Sequence, residues 1–185
     1  MKGHFNITVL VFICLFGFFS CDLEEKGFFF DEKTFNSNWT KWQDKDIQNY
    51  SFTMNGELPH WNFSRAILMR KYEVNIVVKN GVMDSFEYIE DNVPHEEEDG
   101  DVILEPEFTS ISDMYQKISD LAEYEKEWWN EYSGNGHIIS TEFKMKYDSE
   151  SHYITFFEPV SRWKPNVIVD TTAHAVIISN FKILD

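Results

Sequence analysis

"KYEVNIVVKNGVMDSFEY", Lys71–Tyr88, decides how this chain is built. Tyr72, Val74, Ile76 and Val78 share one parity, with Glu73, Asn75 and Val77 between them, and Val82, Phe86 and Tyr88 share one parity beyond Asn80-Gly81. Alternation at period two marks a half-buried strand. Asn-Gly between two such runs marks a hairpin. Two connections compete. A two-residue Asn80-Gly81 turn sets Val74 opposite Glu87 and Ile76 opposite Ser85. A three-residue Lys79-Asn80-Gly81 loop, with Gly81 left-handed, sets Val78 opposite Val82, Val74 opposite Phe86 and Tyr72 opposite Tyr88. Slipping by one residue swaps the faces of a strand. The apolar match therefore predicts the three-residue loop with a bulge at Gly81.

The pattern changes on either side of this hairpin. Upstream, "FNSNWTKWQDKDIQNY" (35–50) carries Phe35, Trp39 and Trp42 at helical spacing, with Asn36 or Ser37 available as a cap. "YSFTM" (50–54) alternates as a strand, and "NGELPHWNFSR" (55–65) reads as a loop around Pro59. Downstream, "EDNVPHEEEDGDVILEPE" (90–107) is a long acidic loop. A second helix runs from about Ser110 to Lys126, with Ser110 and Asp113 at capping-box spacing. Its apolar stripe is Ile111, Met114, Tyr115, Ile118, Leu121 and Ala122. "SGNG" (133–136) breaks it. "TEFKMKY" and "YITFF" read as strands joined through "DSESH", "EPVSRWKPN" as a loop, and "AHAVIISNFKIL" as the last strand. The order α-β-β-β-α-β-β-β, dominated by hairpins, predicts an α+β domain over residues 35–185. Its architecture is a single antiparallel sheet of five to six strands with both helices on one face.

The first 34 residues read differently. Ile7–Phe19 is an uncharged run of thirteen residues. A membrane span needs roughly 20, so this length suits the apolar core of an export signal. Phe18, Ser20 and Cys21 then meet the needs of a lipoprotein signal: an apolar residue, a small residue and the cysteine that becomes the new N-terminus. Phe18 stands where an ordinary secretory site needs a small residue. Residues 1–20 are thus a lipoprotein signal peptide, Cys21 is the lipidation site, and 21–34 form an acidic tether. The alternative is an ordinary secreted protein with a spare thiol, in which Asn38, Asn49 and Asn62 head glycan-acceptor triplets. Cysteine usage favours lipid. With Cys14 removed, Cys21 is alone, so no internal disulfide can form and packing must hold the domain.

Composition narrows the partners. The chain of 185 residues has a formal charge of −16, and its signal contributes only one charge, Lys2. Such a chain repels phosphate backbones, which excludes nucleic acid. Its charges also do not hold it to an anionic bilayer, so membrane attachment falls to the lipid on Cys21.

Several short signatures recur in order: "WQDKDIQNYSF" (42–52), "VNIVVKNGVM" (74–83), "TSISDMYQKI" (109–118), Tyr147-Asp148 and "PNVIVDTTAHAVIISNF" (165–181). In this order they resemble a bacterial family of small secreted or lipid-anchored proteins, domain-of-unknown-function family 6174, over about residues 38–183. "SHYIT" replaces the Gly-Tyr-Pro turn common in that family. The resemblance implies an α+β fold and export. It implies no activity and transfers no catalytic residue.

Candidate chemistry is sparse. Glu87–Glu107 holds ten carboxylates and His95, without the ligand alternation of a calcium loop. A dense charge run of this kind reads as a solvated segment. The histidines left after export, His60, His95, His137, His152 and His174, share no metal-ligand spacing. No nucleophile elbow, phosphate loop or dinucleotide fingerprint occurs, so no metal or cofactor is expected. Trp61, Trp128, Trp129 and Trp163 stand out instead, in stretches read as loops or a helix end. Adjacent Trp128 and Trp129 point about 100° apart on a helix, so one buried face does not take both. These four form the candidate binding surface; the alternative is that they cap the open sides of a small sheet. The function expected is a lipid-anchored protein of the bacterial cell envelope, facing the periplasm or the exterior. It is a non-catalytic module binding an envelope protein or glycan. The competing class is an envelope hydrolase whose site is assembled only in three dimensions.

Overall fold

A computed structural model describes residues 27–61, 67–89, 106–132, 138–163 and 175–185. Two helices and seven strands follow one another as β1 (Gly27–Phe29), α1 (Glu32–Asp44), β2 (Tyr50–Trp61), β3 (Ile67–Lys79), β4 (Val82–Ile89), α2 (Ile111–Tyr132), β5 (Ile138–Tyr147), β6 (Ile154–Trp163) and β7 (Val176–Ile183). The strands form one sheet in the order β1-β5-β6-β7-β2-β3-β4. The α+β class holds, but the sheet is mixed and larger than the five to six antiparallel strands expected. Six strands pair antiparallel, and β1 lies parallel to β5 at the edge.

The seventh strand comes from the stretch read as a tether. Phe28 and Phe30 turn into the domain, their rings 5.5 and 5.7 Å from Phe143, and Phe30 lies 5.1 Å from Phe35. Three consecutive phenylalanines have too much apolar surface to leave in water when a sheet edge is within reach. Asp31 then caps α1, its Oδ1 accepting from Thr34 N at 3.0 Å, so the helix begins earlier than Asn36 or Ser37 would have it. The cap of α2 is as expected at Ser110, whose Oγ accepts from Asp113 N at 3.0 Å. The Asp113 carboxylate reaches back one residue further, accepting from Thr109 N at 2.8 Å.

In the Lys71–Tyr88 hairpin, β3 and β4 are joined by a two-residue turn. Lys79 pairs with Val82, and Asn80 and Gly81 have φ of 53° and 76°, the left-handed pair of a type I′ turn. The bulge lies farther on. Val78 faces Met83 while Val77 faces Ser85, which leaves Asp84 unpaired in β4. Beyond it, Ile76 faces Phe86 and Val74 faces Tyr88. The expected three-residue loop and its pairs, Val78 with Val82 and Val74 with Phe86, are not formed; apolar residues still face one another, but through an extra residue inside β4 that sets Val74 opposite Tyr88 instead. Asn49 and Gln48 explain the tight turn: Asn49 Oδ1 accepts from Asn80 N at 3.0 Å, and Gln48 O accepts from Gly81 N at 2.9 Å.

The stretches read as loops around Pro59 and Pro159 are strand. Pro59 pairs with Met69, and Pro159 with Phe143. Among the described residues β2 pairs with β7 only as far as Asn55, and the described partner of Pro59 is Met69 on β3. A second bulge lies in β7. Met54 faces Ile178 and Thr53 faces Ser179, but Ser51 faces Lys182. Asn180, at φ 51°, takes up the extra residue. The offset carries Phe181 to the core side, 4.5 Å from Tyr153, 5.4 Å from Tyr50 and 5.9 Å from Trp42.

The core lies on one side of the sheet. Tyr50, Phe52 and Met54 face Val78, Ile76 and Val74 across β2–β3, and all six are buried. Phe35 and Trp42 of α1 and Ile111, Met114, Tyr115 and Ile118 of α2 join the same cluster. Tyr115 ties the helices together, 5.3 Å from Phe35 and stacked on Trp39 at 5.7 Å. Tyr50 closes the cluster by accepting Ile111 N on its hydroxyl at 3.0 Å.

Candidate functional site

The four tryptophans of the candidate surface fall on three elements. Trp61 and Trp163 are the last residues of β2 and β6 rather than loop residues, and pair with Ile67 and Ile138; only their backbone is described. Trp128 and Trp129 lie near the C-terminus of α2, and both are half-buried. The register brings them to one end of the sheet. Through Ile177, β7 aligns Asn55 of β2 with Phe156 of β6. Trp61 lies six residues beyond Asn55 and Trp163 seven beyond Phe156, in the same direction. β5 starts opposite Trp163, six residues after Tyr132 closes α2. Ile111 at the other end of α2 touches Tyr50, so the helix runs towards the tryptophan end. No pattern within any one element reveals this convergence; it follows from β7 lying between β6 and β2.

A second surface was not foreseen. Ser51, Thr53, Asn75 and Val77 point away from the core, and no described helix covers that face. A shallow groove of about 590 Å³ runs along it, with Glu87, Asn180 and Lys182 among its walls. At its centre Thr53, only 2% exposed, donates its hydroxyl to Asn75 Oδ1 at 2.7 Å and accepts from Asn180 Nδ2 at 3.3 Å. The polar half of the strand alternation gives Ser51, Thr53 and Asn75 away. Asn180 is invisible to it, because the bulge puts it on this face out of step. On the neighbouring strands, Lys144 meets Glu158 at 3.8 Å and Lys146 lies over the Phe156 ring at 5.3 Å. The face thus offers hydroxyl, amide and charged groups of both signs.

The remaining candidates are dispersed. Cys21, His95, His137, His174 and most of the acidic loop lie outside the described residues. His152 sits at the β5–β6 turn with φ 63°; its Nδ1 is 3.2 Å from Asn38 Oδ1, and its carbonyl accepts the Tyr115 hydroxyl. Among the described residues, no three His, Cys, Asp or Glu side chains come together as a metal site. No described helix is long and apolar enough to cross a membrane. Burial alone pushes the Tyr88 hydroxyl up to about 12. Burial, helped by the Asp31 carboxylate, does the same for Tyr147.

No family model, no curated protein and no solved structure matches the chain.

Proposed function

We propose that this is a lipid-anchored protein of the bacterial cell envelope, held to a membrane through Cys21 and working by binding an envelope protein or glycan. The observation that carries the reading is the spacing at the N-terminus. Cys21 closes the run Phe18-Phe19-Ser20 and precedes the first strand by six residues. Cleavage before Cys21 would leave the described fold whole. The core supports it too: aromatic and aliphatic packing holds the domain, and none of its buried residues is cysteine. Binding is supported by the polar face, which no described helix covers and which presents donors and acceptors along a groove.

Mass spectrometry of the mature N-terminus tests the anchor. A diacylglycerol thioether on Cys21 is expected; an unmodified Cys21, or cleavage elsewhere, overturns it. Capture from native envelopes with the soluble domain tests the binding. A specific envelope protein or glycan is expected, and replacing Asn75 or Lys182 on the polar face should weaken its capture. Turnover of an envelope substrate by the same domain would replace this reading with the hydrolase.

A further inference from the structure

The position of β1 says which end of the domain meets the membrane. Gly27 is in register with Ser140, and Ser140 pairs with Arg162, the neighbour of Trp163. β1 runs parallel to β5, away from that end, so the chain enters the sheet beside the tryptophans. Six Cα–Cα steps separate Cys21 from Gly27. Fully extended they span about 20 Å, and each headgroup layer of a bilayer is itself roughly 5–8 Å thick. A lipid on Cys21 therefore holds this end of the domain at the bilayer surface. The opposite end, with the Asn80-Gly81 turn, lies away from it by most of the length of β3, thirteen residues or about 40 Å.

The chemistry of this end fits that position. Trp128 and Trp129 are half-buried, Trp61 and Trp163 share its level, and Phe29 is half-buried on the edge strand. Tryptophan prefers the interfacial layer, where its ring is apolar and its N–H stays wet. Glu123, Glu125, Glu127 and Glu131 on the last turns of α2, against Lys126 there and Arg162 on β6, disfavour an anionic headgroup layer. We propose that the tryptophan end of the sheet is the membrane-facing surface of the domain, seated against the interfacial layer of a zwitterionic phospholipid bilayer. The inference rests on the lipidation of Cys21 proposed above. It assigns Trp128 and Trp129 to the lipid and leaves the polar face for the envelope partner.

The test uses the full chain, exported and purified with its lipid and incorporated into phosphatidylcholine vesicles. Benzoylphenylalanine is placed at position 129 in one variant and at position 82 in another; Val82, 69% exposed, lies at the far end of the sheet. Irradiation should label lipid several-fold more strongly from position 129. Tryptophan fluorescence of the unaltered protein should also fall when the vesicles carry brominated acyl chains, a readout that needs no substitution. Equal labelling from the two positions, no quenching, or cross-linking of position 129 to an envelope protein or glycan in native membranes overturns the inference while the anchor stands. A chain whose mass shows no lipid on Cys21 overturns the anchor and the inference together.

Discussion

Gly56 lies directly opposite Tyr72 across β2–β3. A Cβ added there would stand 2.5 Å from the Tyr72 hydroxyl oxygen, so the ring of Tyr72 occupies the space a side chain would need. Gly56→Ala should cost about 1–3 kcal/mol by overpacking, read as a lower urea midpoint with an unchanged slope. The Tyr72 hydroxyl is buried and finds no hydrogen-bond partner among the described residues. An unpaired buried hydroxyl is a penalty rather than a contribution. Tyr72→Phe should therefore be neutral or stabilising in the same titration, whereas a tyrosine with a partnered hydroxyl such as Tyr50 should lose stability on the same change. Sequence alternation puts Tyr72 on the core face correctly. It does not reveal that a glycine faces it, because that depends on register across two strands.

At the scale of elements, the β3–β4 hairpin and β1 carry the consequences. Gly81 sits at φ 76° with Gln48 Oε1 2.8 Å from where a Cβ would be. Gly81→Ala should destabilise by about 1 kcal/mol or more through backbone strain, while Asn80→Gly, which keeps the left-handed turn, should change stability far less. Thermal unfolding followed by circular dichroism distinguishes the two. β1 is three residues long, yet it and the residue after it supply Phe28 and Phe30 to the core rim. A soluble fragment beginning at residue 31 should therefore be less stable than one beginning at Asp22, by roughly 2–4 kcal/mol, because the burial of most of two phenylalanine side chains is lost with the deleted residues. Equal midpoints for the two fragments would show that β1 does not contribute. The helices were legible because their apolar spacing and caps are local. The ends of β2 and β6 were not, since proline reads as a breaker until its strand partner is known.

The whole molecule is one core on one side of one sheet, and its tyrosines give it a shared response to alkali. Tyr88 and Tyr147 are pushed up to about 12 by burial, and Tyr72 and Tyr115 higher still. Each favours its neutral form in the fold more than in the unfolded chain, whose tyrosines ionise near 10. The stabilisation is complete below pH 10 and is lost as pH rises towards 12. Tyrosinate absorbance and loss of near-ultraviolet dichroism should rise together across that window. Ionisation of these tyrosines at pH 10, with the fold intact, would contradict their burial.

Local sequence was enough for the class and the periodicities: two amphipathic helices, alternating strands, an Asn-Gly hairpin, and an apolar run, Ile7–Phe19, shortly before Cys21. These depend on residues within a few positions of one another. The tertiary structure alone decided the rest. It turned Gly27–Phe29 into an edge strand, because Phe143 and Phe35 offered the Phe28 and Phe30 rings a surface. It moved the hairpin bulge to Asp84 and added one at Asn180, where keeping Phe86 and Phe181 on the core side outweighed an unbroken ladder. By placing β7 between β6 and β2, it brought tryptophans up to 102 positions apart in the chain, Trp61 to Trp163, to one end of the molecule. Strand order sets which distant residues meet, and no local pattern encodes it.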